Sequence, residues 1–171
     1  MNLVAEIFDN LFLGSAAART KSFLKDNDIT LVINAEGDNP SLAKCYVTQY
    51  KINAKDHPTY NLSQHFDDVA DKIKKETTEK NGKVYIHCIG GISRAPSLTL
   101  AYLMKHEKMT LVDAHELVKS KRTFVRPNLG FWKQLIDYEL KLFGSNTVTV
   151  MNHGKTEYAS VYAKDYQNMV T

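Results

Sequence analysis

Cysteine and proline are scarce in this chain of 171 residues, which holds two cysteines, Cys45 and Cys88, and four prolines. Two thiols cannot build the disulfide framework of a small stapled scaffold; they leave room for one reactive thiol in a reducing compartment. Four scattered prolines mark no linker. An excess of one charge is also missing: 22 basic against 19 acidic side chains leave +3. That is too little for a dedicated nucleic-acid polycation, so we expect no nucleic-acid partner. The longest useful apolar run, residues 98–104, is short of the roughly 18 residues a membrane span needs. No basic run followed by an apolar one opens the chain, position 2 is Asn, and no prenylation box closes it. We therefore expect no secretory leader, no lipid anchor and no membrane partner. No repeat or low-complexity tract is visible. What is present, 43 % hydrophobic and 24 % charged residues, is the balance of a soluble globular protein of one-domain size.

Strand-like and helix-like periodicities alternate, which predicts an α/β fold. Residues 7–13 read as a strand ending at Gly14, and the Ala-rich stretch 15–25 reads as a helix. The β-branched run 29–34 suits a buried strand, and 46–52 reads as another. A turn-rich segment, 53–60, contains Asp56, His57 and Pro58. The spacing of Leu62, Phe66, Val69, Ala70 and Ile73 predicts a helix over 62–79, capped by Asn61 with Gln64 completing a capping box. Asn81-Gly82 ends it, and 83–87 is a strand. Helix resumes near Ala95, with Pro96 in its first turn, where a missing N–H costs nothing. Thr110 with Asp113 starts a further helix, and Asn128 caps another that Gly144 stops. Residues 147–151 read as a strand and 161–169 as a short amphipathic helix.

The most informative feature is His87-Cys88-x-x-Gly91-x-x-Arg94 between a strand and a Pro-started helix. Chance occurrence of these four residues in a chain this long is on the order of 10⁻⁴. Five residues between Cys88 and Arg94 let the backbone curl into an anion nest formed by Ile89, Gly90, Gly91, Ile92 and Ser93, with the positive end of the next helix behind it. Both effects favour a thiolate at Cys88 and make it a nucleophile. The planar fork of Arg94 suits two phosphoryl oxygens at once.

This pattern resembles the signature of the cysteine-dependent protein phosphatases, and the whole chain resembles a small atypical dual-specificity phosphatase. The matching stretches are 10–14, 56–58, 66–73, 84–97, 101–104 and 126–138, and the tail beyond Gly144 is similar to one subgroup. The resemblance implies a central mixed, mostly parallel five-stranded sheet flanked by helices, with the Cys-x5-Arg loop between strand and helix. It implies residues 1–144 as the catalytic domain and 145–171 as a strand–helix extension packed on the same domain. It also implies hydrolysis of phosphotyrosine and phosphothreonine or phosphoserine through a phosphocysteine. Cys88 would be the nucleophile, Arg94 the phosphate binder and Asp56 the general acid and then base. His87 matches the family residue that hydrogen-bonds near the loop and supports the thiolate. Asn128 caps its helix and, by the resemblance, braces the phosphate loop. Arg122 and Arg126 fall near the site by analogy, with a solvated basic face as their default reading. Asp67, Asp68 and Asp71 read as the solvated side of their helix or as charge at its N-terminus. The spacing at 57, 65, 87 and 88 is not that of a zinc site, and we expect neither metal nor cofactor. Expected partners are phosphorylated proteins, mitogen-activated protein kinases among them, in the cytoplasm with the nucleus also open.

Two positions depart from the commonest family pattern. Ala95 stands where a Ser or Thr hydroxyl ordinarily stabilises the departing thiolate, and Gly90 stands where Ala is commoner. Losing one hydrogen bond to a charged sulfur costs roughly 1.5–3 kcal/mol, or about 10- to 100-fold if it falls on hydrolysis of the intermediate. The competing readings are a phosphoprotein-binding pseudophosphatase or adaptor with little turnover, and a phosphatase of a non-protein substrate such as phosphoglucan. The first usually lacks the Cys or the acid, and Cys88, Arg94 and Asp56 are all present.

Overall fold

The computed structural model describes residues 3–37 and 47–169. Cys45 and the first residue of the 46–52 strand expectation lie outside the described residues. A five-stranded sheet runs in the order β1 (Val4–Phe8), β2 (Leu11–Ser15), β5 (Val84–Cys88), β3 (Leu31–Asn34), β4 (Thr48–Lys51). Only β1 is antiparallel to its neighbour; the three other pairings are parallel. The sheet is thus mixed and mostly parallel, as the resemblance implies, in the α/β fold that the periodicity predicts. The central strands β2, β5 and β3 are buried at every position, which is why their sequences are apolar runs rather than alternations.

Two apolar clusters cover the two faces. Phe12, Leu24, Ile29, Val32 and Tyr85 form the smaller one under α1 (Lys21–Asp26). The larger cluster joins Leu11, Leu13, Ile33, Val84 and Ile86 to the buried faces of α2 (Phe66–Lys74), α3 (Arg94–Glu107), α4 (Leu111–Lys121) and α5 (Leu129–Phe143). α3 is the central helix of that face and is buried from Arg94 to Met104.

The structure corrects the local reading in four places. Residues 7–13 are not one strand: Asp9-Asn10 turns the chain, and β1 pairs back on β2. The stretch 15–25 is not one helix. A 3-10 turn, Ala16–Ala18, precedes α1, whose cap is Thr20, with Oγ1 accepting from Phe23 N at 3.1 Å. The Asn61 capping box does not form. Asn61 Oδ1 takes the Ser63 hydroxyl, and the Ser63 N–H goes instead to Gln134 Oε1 on α5 at 2.8 Å. Beyond Gly144 there is a second strand, so β6 (Val150–His153) and β7 (Thr156–Ala159) make a hairpin before α6 (Ala163–Gln167).

Other caps follow the sequence. Thr110 and Asn128 accept from Asp113 N and Phe131 N, and Gly144 closes α5 in the left-handed conformation at φ +74. The hairpin and its helix add Tyr158, Ala159 and Tyr162 to the larger cluster. Their junction is tied by Glu139, a buried carboxylate on α5. It accepts from Leu111 N at 2.8 Å, Thr147 N at 2.9 Å and Thr147 Oγ1 at 2.6 Å. The acids of α2 are exposed, as expected of a solvated side, yet paired: Asp67 and Asp71 each lie 2.9 Å from Lys105 Nζ on α3.

Candidate active site

Cys88 is the last residue of β5, the middle strand of the sheet, and is buried. Residues 89–93 loop over it and α3 starts at Arg94. Each of the five loop carbonyls is tied to a donor outside the loop. Ile89 O accepts from Ala16 N at 3.0 Å, Ile92 O from Arg126 N at 2.8 Å, and Ser93 O from Ser97 N at 3.0 Å. Gly90 O and Gly91 O both accept from Arg122, through Nη2 and Nε at 2.9 Å. In a planar peptide the N–H points opposite to the C=O, so carbonyls pulled outward turn the amides of residues 90–94 toward the space above Cys88. Gly91 is required: its φ is +64, and a Cβ there would meet Gly14 O at 2.4 Å.

Arg94 is buried, and its Nη1 donates to Ala54 O at 3.0 Å and Ala35 O at 3.4 Å. Its Nε is buried without a hydrogen-bond partner among the described residues. One side of the fork is therefore anchored while a second donor stays available to an oxyanion.

Asp56 lies in the exposed segment before α2, and its Oδ1 accepts from Asn128 Nδ2 at 2.9 Å. Asn128 joins three parts of the site. Its side-chain oxygen caps α5, its amide holds Asp56, and its backbone N–H donates to Ser93 Oγ at 3.0 Å. The Asp56 segment lies directly on α5, because Gly130 has no side chain: a Cβ there would sit 1.8 Å from Pro58 O. Gln134 Nε2 pins the far end of the segment at Tyr60 O, 2.8 Å away.

His87 is fully buried and stacks on Tyr85 with ring centroids 5.5 Å apart. Neither ring nitrogen has a hydrogen-bond partner of good geometry among the described residues, while a weaker bond to the Cys88 backbone favours the charged ring. Burial first, then the charges of Arg19 and Arg94, push the imidazole down to about 4, so it is neutral at pH 7. Ala95 is buried and brings no hydroxyl to the loop.

Arg122 is the correction here. It is no part of a solvated face: it is 3 % exposed, stacks over the Phe124 ring at 4.2 Å and spends its guanidinium on the loop. Arg126 keeps half its surface and stacks on Tyr162 at 4.1 Å, close to Asp165 at 3.5 Å. Sequence reasoning also missed Gly130, whose place in the first turn of a helix was the available signal. Two loop side chains face solvent, Ile89 at 65 % and Ile92 at 40 % exposure. Among the described residues no group of three His, Cys, Asp or Glu could hold a metal, and no helix is long and apolar enough to cross a membrane.

Comparisons with known proteins agree with this geometry. The family model "dual specificity phosphatase, catalytic domain" matches residues 11–141. Mouse dual specificity protein phosphatase 18 is 40 % identical over 168 residues, covering 98 % of this chain and 89 % of the mouse protein. Human dual specificity protein phosphatase 21 is 39 % identical over the same length, with 98 % and 88 % covered. The crystal structure of human DUSP28 superposes with a TM-score of 0.77 at 30 % identity, over 83 % of this chain and 96 % of that one. A cysteine-bearing loop on a buried central strand, in a chain alike from end to end, leads to one conclusion: the protein belongs to the dual-specificity phosphatases and is a cysteine-dependent protein phosphatase.

Proposed function

We propose that Cys88 attacks the phosphorus of a phosphorylated side chain, that Arg94 and the amides of residues 90–94 hold the phosphoryl oxygens, and that Asp56 handles the protons. The observation that carries this reading is the outward anchoring of all five loop carbonyls around one buried cysteine. In the first step the Cys88 thiolate bonds to phosphorus, the P–O bond to the substrate breaks, and Asp56 protonates the leaving oxygen. In the second, Asp56 takes a proton from water as that water attacks the phosphocysteine. Negative charge grows on the equatorial oxygens in both steps, which is where fixed N–H donors act most strongly. Asn128 positions Asp56 and the loop together. His87, neutral beside the loop, adds no positive charge of its own, and the positive field at Cys88 comes from the arginines. Ala95 removes one aid to the second step.

Residues 1–144 serve as the catalytic unit and 145–171 as an extension of it. The substrates are phosphorylated proteins, with phosphotyrosine and phosphothreonine or phosphoserine of mitogen-activated protein kinases the first to test, in a cytoplasmic setting.

The test is hydrolysis of p-nitrophenyl phosphate without added metal, wild type beside Cys88→Ser. Cys88-dependent release is expected; release that survives the substitution overturns the nucleophile assignment. Asp56→Asn should slow phenyl phosphate about 10²- to 10⁴-fold and p-nitrophenyl phosphate less, because the better leaving group needs no proton. Equal losses on both would remove Asp56 from the acid role. Phosphoproteins held by Cys88→Ser and released by wild type would name the substrates.

A further inference from the structure

Ser15 ends β2 and is 6 % exposed, and its hydroxyl has no hydrogen-bond partner among the described residues. It stands where a serine commonly caps a helical turn, before Ala16–Ala18, yet its side chain makes no capping bond. A buried hydroxyl left unpaired is costly and uncommon, so its position matters.

Ser15 is the register partner of Cys88 in the parallel ladder between β2 and β5. Paired residues on adjacent parallel strands send their side chains to the same face, about 4.8 Å apart along the sheet. That face carries Leu11, Leu13, Val84, Ile86 and Cys88 in one cluster. The backbone around Ser15 is held fast beneath the phosphate loop. The Tyr85 hydroxyl donates to Ser15 O at 2.6 Å, the Ser15 N–H reaches Leu3 O at 3.1 Å, and Ala16 N holds Ile89 O at 3.0 Å. Gly14 touches Gly91 so closely that no Cβ fits between them.

One task near Cys88 has no evident agent. When the phosphocysteine is hydrolysed, the sulfur leaves with the electron pair of the P–S bond, and Ala95 has no hydroxyl to offer it. We propose that Ser15 Oγ donates the hydrogen bond to Cys88 Sγ as it departs. This rests on Cys88 being the nucleophile. The water oxygen bonds to phosphorus, the P–S bond breaks, the pair goes to sulfur, and the water proton goes to Asp56. Ser15 keeps its own proton throughout. The two groups are unbonded in the resting structure, and a rotation about the Ser15 Cα–Cβ bond joins them when charge appears on sulfur. Ser15 is then a catalytic residue of the second step alone.

Stopped-flow kinetics with p-nitrophenyl phosphate decide the matter. Ser15→Ala should lower kcat about 10- to 100-fold and reveal a burst of one p-nitrophenol per enzyme, because phosphoryl transfer to Cys88 stays fast while release from it slows. Ser15→Gly should behave alike. Adding Ala95→Ser to Ser15→Ala should restore kcat, since it supplies the hydroxyl from the other side. The melting temperature of Ser15→Ala should equal or exceed that of wild type, because an unpaired buried group has been removed. An unchanged kcat, a loss without a burst, no rescue by Ala95→Ser, or a fall in melting temperature that accounts for the lost activity overturns the proposal. Cys88→Ser separates the two readings. If it stays active, the nucleophile itself is wrong; if it is inert while Ser15→Ala is normal, only the role of Ser15 falls.

Discussion

Around Glu139 both carboxylate oxygens have donors, from the start of α4 and from Thr147, within 2.6–2.9 Å. Around Cys88 the picture is the reverse: Arg94 Nε and Ser15 Oγ are buried without partners among the described residues. The two regions have similar depth and similar polarity. At Glu139 the fold uses a buried charge to lock three segments together, and stability requires that every bond be made. At Cys88 the backbone is bonded to the last carbonyl while selected side-chain donors are kept unpaired. Rigidity and readiness are divided there between backbone and side chains.

The comparison breaks most sharply at Arg94. Arg94→Lys keeps the charge and loses the fork, and kcat/KM for an aryl phosphate should fall about 10³-fold, roughly 4 kcal/mol, with little change in melting temperature. A loss under tenfold in steady-state assays would show that the unpaired Nε is not used.

Gly130→Ala comes next, because its Cβ cannot coexist with Pro58 O at 1.8 Å. Displacing the Asp56 segment should cost about 10²-fold in kcat. In a double-mutant cycle, Asp56→Asn should then add little further loss; full additivity would show that the segment has not moved.

Glu139→Ala is the opposite experiment. It strands buried donors and should lower stability by about 2–3 kcal/mol in denaturant titration, with kcat unchanged at 25 °C. A loss of activity in the still-folded variant would merge the two regions that the comparison separates.

The smallest effect concerns His115, buried edge-on to Trp132 and Tyr162 and pushed down to about 4 by desolvation and then by Lys119. Its folded value lies below its unfolded value of about 6.5, so the unfolded chain binds the proton first. The stability from neutral His115 is therefore present above pH 6.5 and is lost as pH falls toward 4. His87 acts in the same window with the same sign. Asp67 and Asp71, held below their ordinary range mainly by Lys105, act at lower pH: their contribution is present above about pH 4 and is lost as the solution becomes more acidic. His115→Phe should flatten the melting-temperature profile between pH 6.5 and 4; an unchanged slope would acquit His115.

What could be read in advance was whatever has a local signature. The Cys88–Arg94 spacing, the caps at Thr110 and Asn128 and the stop at Gly144 depend on neighbours within a few residues, and all four are where expected. The β1–β2 hairpin had a signal in Asp9-Asn10, and the β6–β7 hairpin had one in Gly154, at φ +60. The first was submerged in the run 7–13, and the second lay in the unassigned stretch between the 147–151 strand and the 161–169 helix. Arg122 had no local signal. A basic residue just past a helix end normally faces water, and only the folding of the α4–α5 connection under the phosphate loop buries it. Ser15 read as part of a helix for the same reason: its neighbour Cys88 is 73 positions away and meets it only through the sheet register.

The carbonyls of the loop over Cys88 are held from the turn after β2, from α3 and from the stretch leading to α5. The side chains at positions 89 and 92 take no part in that grip and project into solvent at its edge. Those two positions are consequently free to drift. Replacing Ile89 or Ile92 alters what a docking protein meets at the mouth of the site and leaves the amide cradle as it was. The selectivity of the enzyme can thus be retuned, one exposed residue at a time, without dismantling its chemistry.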